Sequence, residues 1–206
     1  MTELKEKMRG FFEQLCAIPH MSRHEQAIGE YLMAFAKQRG LSCHQDAAGN
    51  VFMEKPATKG YENAPTVMLQ GHMDMVCEKT PETEKDFLTQ GIDVYEENGV
   101  LQARGTSLGA DDGVAIAYAL AILDSEELIH PPLQGVFTVG EEISMVGAQQ
   151  LRREDLKGSI LLNMDTEQEG TFFVSSAGSA DQTITLPIAW KNSSAPASEL
   201  RVYGMK

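Results

Sequence analysis

Apolar residues recur at helical spacing through the first forty residues of the chain. Leu4, Met8, Phe11, Phe12, Leu15 and Cys16 form one stripe, and Pro19 ends the predicted helix. A second helix is predicted to open on Ser22-Arg23-His24-Glu25, a capping-box pattern. Its stripe is Ile28, Tyr31, Leu32, Phe35 and Ala36, closed by Gly40. The period then changes. Short strands are expected near 41–45 and 51–54 around the turn Ala48-Gly49-Asn50, with a loop over 55–65. The apolar run at 67–70 reads as a buried strand delivering Gly71-His72 at its carboxyl end. After a polar stretch, 92–96 and 100–103 form a hairpin turned at Glu97-Asn98-Gly99. Residues 113–123 are Ala-rich and apolar on nearly every side, as a buried helix is. Pro131-Pro132 breaks the chain, a buried strand follows at 133–139, then a short helix at 146–151 and a strand at 160–163. Such alternation predicts an α/β sheet covered on both faces. Beyond Asp165 the texture turns to strands alone, at 171–175, 183–188 and 199–203. The chain stops within a β-like run, so the expectation is a truncated protein.

Composition narrows the partners. No apolar run approaches the ~20 residues of a membrane span, and the charged start, Met1 to Met8, has no signal-peptide core behind it. A net charge of −13 disfavours nucleic acid and anionic membrane and is compatible with bound cations. Cys16, Cys43 and Cys77 are widely spaced, which fits reduced thiols in a cytoplasmic protein.

The chemistry sits at the ends of the predicted strands, where ligands bind in open α/β sheets. In Gly71-His72-Met73-Asp74, an extended backbone points His72 and Asp74 to one side, ~6.6 Å apart. Asp74 is then placed to orient the imidazole as metal-bound histidines require. Alone, this pair also reads as a surface histidine beside a carboxylate. Asp111-Asp112 lies between the glycine-rich Gly105–Gly109 loop and an apolar helix. One of these carboxylates could bridge two cations, or serve as a helix N-cap. Glu141-Glu142 follows a buried strand, and successive residues there could divide the work of metal ligand and general base. A solvated helix start is the competing reading. Leu161-Leu162-Asn163-Met164-Asp165 is again an apolar run ending in a carboxylate. Taken jointly, one nitrogen and three oxygen ligands at successive strand ends suit Zn²⁺, with Mn²⁺ or Co²⁺ as substitutes. A bridging carboxylate would hold two ions ~3.5–4 Å apart, as in two-metal hydrolases.

These segments resemble the aminoacyl-histidine dipeptidases, carnosinase-like members of the co-catalytic zinc aminopeptidase and carboxypeptidase superfamily. The likeness is carried by Gln70-Gly71-His72-Met73-Asp74-Met75-Val76, by Gly105 to Gly113, by Glu141-Glu142 and by Asn163-Met164-Asp165-Thr166-Glu167. Cys16-Ala17-Ile18-Pro19-His20 adds to it near the start. The resemblance implies a mixed central sheet with helices on both faces. It implies two Zn²⁺ ions, with His72 and Asp165 on one, Glu142 on the second and Asp111 bridging both, joined to Asp112 by a cis peptide. Glu141 would be the general base and Asp74 the support of His72.

The same resemblance implies an incomplete catalytic domain over 1–186 and the start of an inserted lid and dimerisation domain over 187–206. The distal His of the second metal site would lie beyond this chain, and the full-length form would be a homodimer. The expected activity is hydrolysis of dipeptides of the Xaa-His type, such as β-alanyl-histidine. An N-acyl amino-acid deacylase or tripeptidase on the same scaffold is the alternative, as is a non-catalytic remnant acting through metal or a partner.

Overall fold

The computed structural model describes residues 2–166, together with 168, 170–176, 178, 183, 185 and 187. Two compact units divide the chain, Met1–Glu169 and Gly170–Lys206. The first holds every regular element among the described residues: helices α1 (Thr2–Cys16), α2 (Gln26–Gln38), α3 (Ala110–Asp124) and α4 (Val146–Gln150), and strands β1 (Ser42–Gln45), β2 (Val51–Lys55), β3 (Val67–His72), β4 (Val94–Glu97), β5 (Val100–Ala103), β6 (Leu133–Thr138) and β7 (Ile160–Asn163). A single 3₁₀ turn, Arg153–Asp155, precedes β7.

Five strands form one sheet in the order β1-β2-β6-β3-β7. β1, β2 and β6 pair antiparallel, whereas β3 runs parallel to both β6 and β7, so the sheet is mixed as expected. β4 and β5 make a separate hairpin whose turn residues Asn98 and Gly99 both take positive φ, 54° and 79°. That geometry matches the strand twist and explains the Asn-Gly pair.

Strand alternation sends neighbours to opposite faces, and both faces are buried. Val51, Met53, Leu69, Leu133 and Phe137 join the main core beneath α1, α2 and α3. Phe52, Met68 and Val136 point the other way, into a smaller cluster covered by Leu151 and Leu156. α3 is buried nearly all round, with Ile116, Ala117, Ala119, Leu120 and Ala121 at 0% exposure. β7 forms where a strand is expected and, pairing among the described residues with β3 alone, leaves Ile160, Leu161 and Leu162 exposed.

Beyond Asp165 the expected strand at 171–175 does not form. Phe172, Phe173 and Val174 are exposed there, and β-prone residues without a ladder and a face to pack on stay irregular. The strand expected at 199–203 lies outside the described residues, as do 184, 186 and 188 of the one expected at 183–188 and most of the 187–206 segment. Among the described residues, no helix is long and apolar enough to cross a membrane.

Candidate metal centre

The sheet order dictates the site. β3 lies between β6 and β7 and runs parallel to both, so the carboxyl ends of the three strands are neighbours. β3 ends on His72, paired with Thr138 at the end of β6. Glu141 and Glu142 follow β6. On the other flank, the Met164 N–H donates to Gln70 O at 3.1 Å, which sets Asp165 just past β7. The start of α3 supplies Asp111 and Asp112. Neither has helical φ and ψ, and the peptide bond between them is cis.

His72 is 1% exposed and shared by two groups of ligand atoms. In one it meets Glu141 and Glu142; in the other it meets Asp112 and Asp165; within each group the ligand atoms lie within 4.8 Å of one another. Asp111 stands outside both groups, yet its Oδ1 is 2.9 Å from His72 Nε2. Glu141 Oε2 lies 4.0 Å from the same nitrogen. The opposite ring nitrogen, Nδ1, is 2.9 Å from the main-chain oxygen of Asp74. With Nδ1–H donated to that carbonyl, Nε2 is the ring nitrogen that faces the carboxylates; it carries a proton in the metal-free protein, and a metal would take that proton's place.

Asp74 is 1% exposed and works through its backbone and side chain alike. Its Oδ1 lies 3.4 Å from His72 Nδ1 and accepts the Glu141 N–H at 2.9 Å. Its Oδ2 accepts the Ser22 hydroxyl at 2.7 Å and the Glu142 N–H at 3.3 Å. Burial would raise the Asp74 pKa, but His72, Ser22 and the Glu141 N–H outweigh it and hold the carboxyl low. Burial likewise pushes His72 down, and the carboxylates of Asp74, Asp112 and Asp111 carry it up instead, to about 10. Burial drives Asp112 up to about 7, with Asp165 and Asp111 adding to the rise. Glu141 and Glu142 are raised too, first by burial and then by carboxylate neighbours. Carboxylates crowded around one imidazole are mutually destabilising until a cation joins them. The donor set of one imidazole nitrogen with carboxylate oxygens suits a borderline ion such as Zn²⁺.

Every site residue expected from the sequence is therefore drawn to one end of the sheet. Two further residues, Ser22 and Glu25, were not legible as site residues, and a third, Asp112, was legible only as one of a pair. Asp112 is buried and its Oδ2 accepts the main-chain N–H of His72 at 3.0 Å. Ser22 and Glu25, which read as a capping box, make no cap: α2 begins at Gln26 without a side-chain capping bond. Ser22 turns to Asp74, and Glu25 Oε1 accepts the Gly140 N–H at 3.0 Å. Their long-range partners leave no local signal in the sequence. Burial pushes the Cys16 thiol up to about 12 and that of Cys77 up to about 11, which favours the protonated form of both.

Known proteins resemble this chain in sequence and fold. The chain is similar to the cytosol non-specific dipeptidase of Escherichia coli (strain K12), 42% identical over 175 residues, which cover 85% of this chain and 36% of that protein. Its structure is similar to that of an aminoacylhistidine dipeptidase from Vibrio alginolyticus, with a TM-score of 0.78 and 44% identity over 80% of this chain and 34% of that one. A tripeptidase from Staphylococcus aureus superposes with a TM-score of 0.67 and 25% identity over 79% of this chain and 44% of that one. The chain thus spans about a third of the length of the two dipeptidases. Residues 68–189, more than half of the 206, match the family described as Peptidase family M20/M25/M40. That stretch contains all the strand-end carboxylates and His72, and the chain belongs to peptidase family M20/M25/M40.

Proposed function

We propose that the chain carries the centre of a two-zinc dipeptidase acting on Xaa-His substrates such as β-alanyl-histidine. The observation that carries this reading is His72, shared between Glu141 and Glu142 on one side and Asp112 and Asp165 on the other. His72 and Asp165 would hold one ion and Glu142 the second, with Asp111 as the bridge. Asp111 is preferred to Asp112 because its Oδ1 meets the ring nitrogen open to a metal, whereas Asp112 Oδ2 is engaged with the His72 main chain. The second ion would also need a distal His from outside this chain. Mn²⁺ or Co²⁺ could substitute for zinc.

When bound, zinc supplies Lewis acidity toward a water and toward the scissile carbonyl. In the metal-free protein Glu141 has its pKa raised by burial and by neighbouring carboxylates, and it would serve as the general base. It would take the proton from the attacking water at its carboxylate and return it to the leaving amine. Asp74 holds the Glu141 backbone and the His72 ring in register. Residues 1–186 would belong to the catalytic domain and 187–206 would open an inserted lid and dimerisation domain. The full-length form would be a cytoplasmic homodimer. The likeness to an aminoacylhistidine dipeptidase supports the Xaa-His choice, and the likeness to a tripeptidase favours tripeptides as the second reading.

The test is hydrolysis of β-alanyl-histidine, glycyl-histidine, a dipeptide without histidine, a tripeptide and an N-acyl amino acid, each with added Zn²⁺ and with chelator. Zinc-dependent turnover that favours the Xaa-His pair and vanishes with chelator is expected. Preference for the tripeptide or the acyl amino acid would move the chain to a sister activity. Bound zinc without turnover of any substrate would make it a metal-binding, non-catalytic protein.

A further inference from the structure

Four successive main-chain N–H groups lead into and through the Glu141-Glu142 pair, and each is accepted by a side-chain oxygen from elsewhere in the chain. Val139 donates to Asn50 Oδ1 at 3.1 Å and Gly140 to Glu25 Oε1 at 3.0 Å. Glu141 and Glu142 donate to the two oxygens of Asp74 at 2.9 and 3.3 Å. The acceptors come from the start of α2, the β1–β2 turn and the end of β3. All of them are buried: Asn50 at 0%, Asp74 at 1% and Glu25 at 9% exposure.

On their other side these residues are tied to the start of α4: the carbonyls of Val139, Gly140 and Glu141 accept the N–H groups of Gly147, Val146 and Met145 at 2.8, 3.0 and 2.9 Å. The segment is irregular from Val139 to the start of α4 at Val146, and Gly140, Ser144 and Met145 all take positive φ, at 60°, 97° and 53°. Asn50 is itself fixed in place. Its Nδ2 donates to Asp46 Oδ2 at 2.7 Å and to Gly147 O at 3.0 Å, and Asp46 Oδ1 accepts the N–H groups of Ala48, Gly49 and Asn50. Gly147 makes the approach possible, since a Cβ there would lie 2.3 Å from Asn50 Oδ1. Glu25 is the more telling member. Among the described residues no cation pairs with it, and a buried carboxylate without a cation costs folding energy.

We propose that Glu25 and Asn50 are positioning residues that act through the Gly140 and Val139 N–H groups to fix where the Glu141 and Glu142 carboxylates point. The inference rests on the roles given to Glu141 and Glu142 above. Asp74 serves both His72 and the glutamate pair, whereas Glu25 and Asn50 bond the two residues just before the pair, and Asn50 also ties in the Asp46 turn and Gly147. Glu25 and Asn50 restrain the strand end upstream of the pair, so that Glu141 and Glu142 diverge from a fixed base.

The experiment compares the full chain with Glu25→Ala, Glu25→Gln and Asn50→Ala. Amide hydrogen exchange is read on the metal-free protein, and kcat and KM for β-alanyl-histidine are read with zinc. Glu25→Ala should speed exchange at Gly140, Glu141 and Glu142 by about tenfold or more while α3 amides change less than about twofold. Its kcat should fall ~10²-fold with KM moving less than about threefold, as displacement of a catalytic group by ~1 Å predicts. Asn50→Ala should act likewise, with the change in exchange centred on Val139. Glu25→Gln retains an acceptor oxygen and should recover kcat to within about fivefold of the parent. Unchanged exchange and kcat in Glu25→Ala would overturn the proposal. So would a loss of kcat that Gln does not recover, or α3 exchange rising in step, which marks general loosening. A parent chain that turns over no peptide with zinc, but shows the contrast in exchange, would sink the peptidase reading and uphold the clamp.

Discussion

Asp74 Oδ1 accepts the main-chain N–H of Glu141 at 2.9 Å, across 67 residues of sequence. The bond joins the end of β3 to the turn after β6 and makes one buried carboxylate common to both halves of the site. Truncating Asp74 to Ala would strand the Glu141 and Glu142 N–H groups and the Ser22 hydroxyl, each of which donates to it. Asp74→Ala should lower unfolding stability by about 3 kcal/mol, measured by urea titration with an unchanged m-value. A loss under about 0.5 kcal/mol would show that the turn does not depend on this carboxylate.

Gly71 is the residue through which α3 reaches the site. A Cβ at this position would sit 2.8 Å from Asp112 Oδ2 and 3.0 Å from Ala115 Cβ. Gly71→Ala should push α3 away from β3, break the bond from His72 N–H to Asp112 and cost about 1–3 kcal/mol. The weakening of zinc binding should exceed that seen for Gly10→Ala, where a Cβ meets nothing within 4 Å. Equal zinc affinity in the two variants would separate α3 placement from metal binding.

Much of this was legible in the sequence, for physical reasons. Apolar periodicity marks α1, α2 and α3 because each buries one face or all faces. The carboxylates at strand ends are visible because they interrupt apolar runs. Ser22 and Glu25 mislead because the capping box depends only on local spacing. Their actual partners, Asp74 and Gly140, lie far along the chain and are reached only once the sheet has formed. Asp112 was harder still. Adjacent carboxylates in a sequence do not reveal which one turns inward, and the burial of Asp112 against exposed Asp111 follows from the packing of α3 on β3.

A pH effect on stability should come from the other end of α3. Asp124 accepts Arg39 Nε at 2.5 Å and faces Lys7 Nζ at 3.0 Å, which ties α1 and the end of α2 to α3. Burial alone would raise its pKa, but Lys7 and Arg39 outweigh burial and hold the carboxyl below its ordinary value. Because folding lowers this pKa, the stabilisation is fully present above the unfolded value of about 4 and is lost as pH falls through the folded one. Asp124→Asn should therefore cost roughly 1 kcal/mol at pH 7, and the gap from the parent should close below about pH 4. Chemical denaturation at pH 7 and pH 3 measures it; an equal gap at both would refute the linkage.

In the proposed function His72 organises a metal site in which Glu141 is the base and not a ligand. Zinc titration calorimetry on the parent, His72→Ala and Glu141→Gln tests it most directly. The parent should bind zinc, His72→Ala should lose binding by at least about 10²-fold, and Glu141→Gln should retain it within a few-fold. Undiminished zinc binding by His72→Ala, or loss of zinc from Glu141→Gln equal to that from His72→Ala, would contradict the account.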